Sequence, residues 1–237
     1  MNRLELPVNI KLMNTRNERV KDFKKVTSLD TFDGMNTNNF HPDGLFSTEI
    51  FGRVGTPERD TRMSFIHTKI TILHPFIFKK IIRLKGLYKG IITGRQFAVW
   101  NEAESDFESS DMVNGQTGYN FFLSHLPKIK FKTTASVSRE MNIELVQKAI
   151  TEGTAFITNV PVIPAGLRDA FLRPDGQVTE DEINPLYRSL ISASNAIPDS
   201  GEYNTSVFDT TRVSMQNALN NVFEYLWGLY SGKSGFA

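Results

Sequence analysis

The run Asp43-Gly44-Leu45-Phe46-Ser47-Thr48-Glu49-Ile50-Phe51-Gly52 is answered far downstream by a second run, Val160-Pro161-Val162-Ile163-Pro164-Ala165-Gly166-Leu167-Arg168. Neither is explained by the need to build a helix or a strand. Asp43-Gly44 and Gly52-Arg53 are turn chemistry around a short apolar core, and Pro161 and Pro164 impose two rigid, extended bends.

Outward from these runs, regular elements are legible. Phe65 to Leu73 alternates apolar and polar residues and predicts a strand. Pro75 then starts a helix, with Phe76, Ile77, Ile81, Ile82 and Leu84 as its apolar stripe. That helix carries Lys79, Lys80, Arg83 and Lys85, a face able to follow a phosphate backbone or simply to meet solvent. Asn101 to Gly118 reads as an acidic solvated loop, without the D-x-D-x-D-G spacing of a calcium loop. Lys128, Lys130 and Lys132 alternate with Ile129 and Phe131, which predicts a strand with its lysines on one side. Asn142 to Glu152 reads as a helix closed by Gly153, and Phe156 to Val160 as a short strand.

The last third predicts two amphipathic helices. Thr179-Glu180-Asp181-Glu182 has the form of a capping box, followed by Ile183, Leu186, Tyr187, Leu190 and Ile191 on one face. Pro185, about six residues inside that start, predicts a slight kink. After a polar turn at Asn195 to Ser206, Asp209 to Ser231 carries Met215, Leu219, Val222, Phe223, Leu226 and Tyr230 on one side. Short polar connections make such helices an antiparallel pair.

Composition narrows the class. The 237 residues carry a formal charge of +1 and 22% charged side chains, an ordinary globular balance. No apolar run reaches the roughly 18 residues of a membrane span. Cysteine is absent, which excludes disulfides and thiolate catalysis. His41, His67, His74 and His125 are scattered and predict no metal site. Gly228 to Ser234 imitates a phosphate-binding loop but has three residues between its glycines where four are required.

Taken in order, these runs resemble the N-terminal part of the largest (β′) subunit of multisubunit DNA-directed RNA polymerases. The family shows D-G-L-F-x-x-x-I-F-G, matched by Asp43 to Gly52, then L-P-V-L-P-P-D-L-R, matched by Val160 to Arg168 with Ala165 and Gly166 departing from it. Ile183 to Arg188 stands for L-x-x-L-Y-R, and Gly232-Lys233-Ser234-Gly235-Phe236 for G-K-x-G-R-F, without its arginine. The four-cysteine zinc ribbon of cellular relatives is replaced by Val54 to Met63, a departure that resembles the split polymerases of giant bacteriophages.

The resemblance implies an α+β, clamp-like module without a zinc ribbon. It divides the chain into a zipper-like segment and the start of the clamp (1–52), a clamp body (53–160), a lid-like loop (161–179), a clamp coiled-coil helix pair (180–231) and the start of a hinge (232–237). It implies nucleic-acid contacts at Arg168, Arg173, Lys233, Lys79, Lys80 and Arg83, and a wedge at Phe171 and Leu172 against the upstream end of the RNA–DNA hybrid. It also implies docking of a promoter-specificity factor at Tyr187, Arg188, Leu190 and Ile191.

The implied role is non-catalytic. The family's magnesium motif, N-A-D-F-D-G-D, lies beyond the G-K-x-G-R-F run, and the echo at Asp30 to Gly34 lacks its third aspartate. No cofactor is expected in this chain, with Mg2+ bound by another segment or chain of the complete nucleotidyltransferase. Expected partners are β-like and remaining β′-like chains, the specificity factor, template DNA and the hybrid. The expected location is the cytoplasm of an infected bacterium, or the virion. Two other readings stand beside it: a stand-alone protein that mimics β′ and binds a host polymerase or initiation factor, and an α+β virion structural protein.

Overall fold

The computed structural model describes residues 23–34, 36–199 and 205–228. The chain is mixed α+β, with eight α-helices and four two-stranded antiparallel sheets among the described residues. In chain order these are β1 (Phe32–Asp33), β2 (Asn36–Phe40), α1 (Thr48–Phe51), α2 (Pro57–Thr61), β3 (Ser64–Leu73), α3 (Pro75–Leu84) and α4 (Gly86–Ile92). Then follow β4 (Phe97–Asn101), β5 (Asp106–Ser110), α5 (Tyr119–His125), α6 (Val137–Thr151) and β6 (Phe156–Val162). The last are β7 (Ala170–Leu172), β8 (Val178–Glu180), α7 (Ile183–Asn195) and α8 (Asp209–Leu226). No described helix is long and apolar enough to cross a membrane.

The ladder of β3 with β6 is the axis of the fold. It runs from Ser64 opposite Val162 to Leu73 opposite Phe156. Between His67 and Ile72 the register slips, because β3 advances five residues while β6 advances two. Lys69 takes a left-handed backbone there (φ 61°), and Thr68 Oγ1 donates to the carbonyls of Ile70 and Thr158 to close the bulge. Pro161 is tolerated because β6 pairs on one side only. On the open side Ile163 N–H donates to Tyr187 Oη, which itself donates to Pro161 O.

Two apolar cores meet at the end of β3. The first joins Leu45, Phe46, Ile50 and Phe51 to Ile66, Ile72, Val160 and Val162, and is roofed by α7 and α8. The second begins at Leu73 and gathers α3, α4, α5 and α6 around Phe107, Tyr88 and Phe122. A buried polar hub ties them together. Gln216 of α8 accepts from Leu73 N–H (3.1 Å) and donates to Leu73 O (3.0 Å), and Tyr119 Oη of α5 donates to Gln216 Oε1 (2.5 Å).

Several expectations are met. β3 and the Pro75-started α3 fall where the sequence places them, and His74 caps α3 by accepting from Phe76 N–H. Ile77, Ile81 and Leu84 are buried as the stripe required, and Met215, Leu219 and Val222 line the inner side of α8.

Others are corrected. The capping box does not form: Thr179 and Glu180 belong to β8, and Asp181 instead accepts from Ile183 and Asn184 N–H. Because α7 starts only at Ile183, Pro185 sits in its first turn, where its missing N–H costs no helical bond, so no kink is required. Ile129 and Phe131 are buried and Lys128, Lys130 and Lys132 exposed, but the segment joins no sheet. The acidic stretch begins as the β4–β5 hairpin, and Asp106 is buried in it. Finally, α7 and α8 pack against each other as a helix pair, and not against each other alone. Both lie back on β3 with their apolar faces in the first core.

Candidate functional site

Arg168 decides how the two opening runs relate. The residue is 1% exposed. Nε donates to Ile163 O (2.9 Å), Nη1 to Asn184 Oδ1 (2.9 Å) and Nη2 to Leu45 O (2.7 Å). Phe46, Phe51 and Tyr187 place their rings 5.4, 4.9 and 5.7 Å from its Cζ. Asn184 answers by donating to Arg168 O. One side chain therefore stitches together the run at 43–52, the run at 160–168 and the start of α7.

Burial lowers the Arg168 pKa to about 10, which still leaves it charged at neutral pH. Carbonyl dipoles and aromatic faces stabilise that charge in place of water. Burial likewise raises the Tyr187 hydroxyl to about 12, so it remains a neutral donor.

A second arginine braces the same place. Arg59 of α2 is 2% exposed, and donates through Nη1 to the carbonyls of Phe46 and Gly52 and through Nε to Asp169 Oδ1 (3.3 Å). Gly52 has φ 92°, a conformation that favours glycine and turns the chain out of α1. Gly166 lies against Asp60 and the carbonyl of Arg59, leaving no room for a side chain. Ser47 caps α1 by accepting from the N–H groups of Glu49 and Ile50. The polar link from Gly55 to Asp60 is thus part of the packing, through a residue that nothing in the local sequence distinguishes.

From this braced base the β7–β8 hairpin rises. Phe171 pairs with Thr179 and Leu172 with Val178, and Arg173 N–H to Gln177 O (2.7 Å) closes the tip. Phe171 is 66% and Leu172 50% exposed, and Arg173 is exposed beside them. The loop expected at 161–179 therefore includes a short hairpin with an apolar, cationic edge.

The expected site residues separate by exposure. Arg173, Phe171, Leu172 and Arg83 face solvent, and Lys79 and Lys80 are partly exposed on α3. Lys79 pairs with Glu224 of α8 (2.8 Å) and lies over the Trp227 ring. Arg168 is enclosed, so the phosphate contact expected of it is corrected: its donors are directed into the protein. Tyr187, Leu190 and Ile191 are likewise core residues, at 0%, 0% and 1% exposure, which corrects their expected role in factor docking. Arg188 is partly buried and held by Glu180, Leu29 O and Thr31 Oγ1. Lys233 lies outside the described residues.

The outer side of the helix pair instead carries a shallow groove of about 670 Å³, lined by Arg188, Ser192, Ala196, Thr211 and Ser214 among others. Among the described residues no three His, Asp or Glu side chains converge as a metal site would require. The histidines have local partners: His67 with Asn159, His125 with Phe121 O, and His41 accepting from Asp43 N–H. Four residues escaped the sequence reading. Arg59, Asn184 and Asp106 are polar groups whose burial depends on partners outside their own elements, and Trp227, at the end of α8, was not singled out.

A comparison with known protein families finds no model that matches the chain, and a comparison with curated proteins finds no match either.

Proposed function

We propose that the chain is a non-catalytic clamp-and-lid portion of the largest subunit of a viral multisubunit RNA polymerase. It would help hold template DNA and the RNA–DNA hybrid, while Mg2+ and the polymerising aspartates belong to another segment or chain. The observation that carries this reading is the β7–β8 hairpin. It leaves a base braced by Arg59 and Arg168, and it turns Phe171, Leu172 and Arg173 outward. A strand separator needs such parts: a rigid root, an apolar edge to abut the last base pair, and a cation for the phosphate beside it. With Tyr187, Leu190 and Ile191 in the core, a specificity factor would meet the outer groove along Arg188, Ser192 and Thr211.

The test is purification of the tagged full chain from its native infected cells. Co-purification of β-like and aspartate-bearing chains, with RNA synthesis in the eluate, is the expected result. Recovery of a host polymerase or initiation factor alone would overturn it in favour of a mimic. In the active complex, Phe171→Ser with Leu172→Ser should leave assembly intact while lengthening the RNA–DNA hybrid left behind the enzyme.

A further inference from the structure

An aromatic and cationic surface forms where α3 meets the end of α8. Phe76 and Lys80 belong to α3, and Lys80 Nζ lies 5.2 Å from the centre of the Phe76 ring. Phe76 meets Trp227 edge to face at 6.3 Å, and Trp227 packs in the same way on Phe223 at 5.4 Å. Phe223 in turn rests on His74, so the ladder is rooted at the N-terminus of α3. Trp227 is 42% exposed, and Lys79 Nζ sits 5.7 Å from its ring centre. Along the same helix, Phe76, Lys79, Lys80 and Arg83 follow the i, i+3, i+4, i+7 spacing of a single face.

The charges are unevenly matched. Lys79 is neutralised by Glu224, whereas among the described residues Lys80 meets only an aromatic face and Arg83 is exposed to solvent. The patch therefore offers a part-exposed indole that carries Lys79 and meets Phe76, while Lys80 and Arg83 continue the same face of α3. Base stacking on an aromatic ring with a cation on the neighbouring phosphate is how proteins hold single strands without reading their sequence. A duplex would present only phosphates and leave the indole unused.

We infer that Trp227, with Phe76, Lys80 and Arg83, forms a binding platform for single-stranded nucleic acid, in which one base stacks on the Trp227 indole and the cations hold adjacent phosphates. This deepens the polymerase reading, from which the α3 cations take their role, by adding the stacking residue and the strand type. The two fail separately, since the platform is tested on the purified chain alone and the subunit assignment on the complex.

The chain has only two tryptophans, Trp100 and Trp227, so the platform reports on itself. A fluorescein-labelled oligothymidylate is titrated with the full chain at low salt, following both label anisotropy and tryptophan emission. Saturable binding with quenching is expected, and the quenching should persist in Trp100→Phe. In Trp227→Phe binding should remain, because phenylalanine also stacks, while the quenching disappears. Trp227→Ala should weaken binding about tenfold or more. Lys80→Glu with Arg83→Glu, both replaceable without opening the core, should lower the log–log salt slope by about 1.4, at roughly 0.7 per phosphate contact on a single strand. No binding would overturn the inference. So would quenching that follows Trp100, an unaltered affinity in Trp227→Ala and the double variant, or equal affinity for a duplex of the same length.

Discussion

The two cores bury opposite charges and solve the problem differently. In the first, the Arg168 cation is enclosed with carbonyls, an amide and three aromatic rings as its immediate partners. In the second, the Asp106 carboxylate accepts from Lys85 Nζ (2.7 Å) and Tyr88 Oη (2.8 Å), and the lysine keeps about a third of its side chain in water. A guanidinium spreads its charge over a plane that carbonyls can ring and aromatic faces can cover. A carboxylate concentrates its charge on two oxygens and is held by a full countercharge. The first arrangement is geometrically demanding and links distant segments; the second is local, spanning a helix and a neighbouring hairpin. Loss of Arg168 should therefore unmake a topology, and loss of Asp106 should only loosen a contact.

The most severe way to probe this contrast is Arg168→Ala. It leaves Leu45 O, Ile163 O and Asn184 without their donor in a dry site, and should cost about 3–5 kcal/mol. Arg168→Lys should recover only part of that, because an ammonium cannot reach three acceptors in a plane. Urea unfolding read by circular dichroism measures both; a loss under about 1 kcal/mol for alanine would show that the two runs do not depend on this side chain.

Next in size is an acid effect at the junction of the cores. Burial lowers the His74 pKa to about 4 from its ordinary 6.5. Between those values the unfolded chain takes up a proton that the folded chain refuses, so stability falls as pH drops from about 6.5 to 4. The full penalty, on the order of 3 kcal/mol, is reached below pH 4. His74→Asn keeps a capping acceptor for Phe76 N–H and removes the proton site. Unfolding midpoints at pH 7 and pH 4.5 should differ less in that variant than in the parent. An equal acid sensitivity would place the effect elsewhere.

Asp106→Asn should be the mildest, at about 1–2 kcal/mol, since Lys85 can turn to solvent and an amide still accepts from Tyr88. Thermal unfolding of this variant beside Arg168→Ala gives the ratio that the contrast demands. A loss as large as that of Arg168→Ala would refute the claim that the second charge is only locally held.

What could be read from the chain itself followed local periodicity. β3, α3, α6, β6 and the two closing helices were legible, because their apolar residues recur at the spacing of the element that buries them. The elements misjudged were those whose form is set by a distant partner. Lys128, Lys130 and Lys132 alternate with buried residues as a strand would, yet a strand exists only where another offers its edge. Thr179 and Glu180 have the residues of a capping box but are drawn into β8 by Ala170 and Phe171. The same limit applied to the site. Phe171, Leu172 and Arg173, expected in an outward-facing loop, are exposed, whereas Arg168, Tyr187, Leu190 and Ile191 were assigned outward and point inward.

The sequence alone determined that two unusual runs exist, that they are rich in turn chemistry, and that amphipathic helices follow them. Those are properties of neighbours along the chain, where spacing and backbone preference act without reference to the rest. Tertiary structure alone decided that the runs are halves of one knot, that a lone arginine in a polar link braces it, and that the last helix brings Trp227 against Phe76 and Lys79 of α3. Burial of a charge is a property of everything that surrounds it. The ends of Arg168 find their partners on segments more than a hundred residues away and others close by, and no local pattern encodes their meeting.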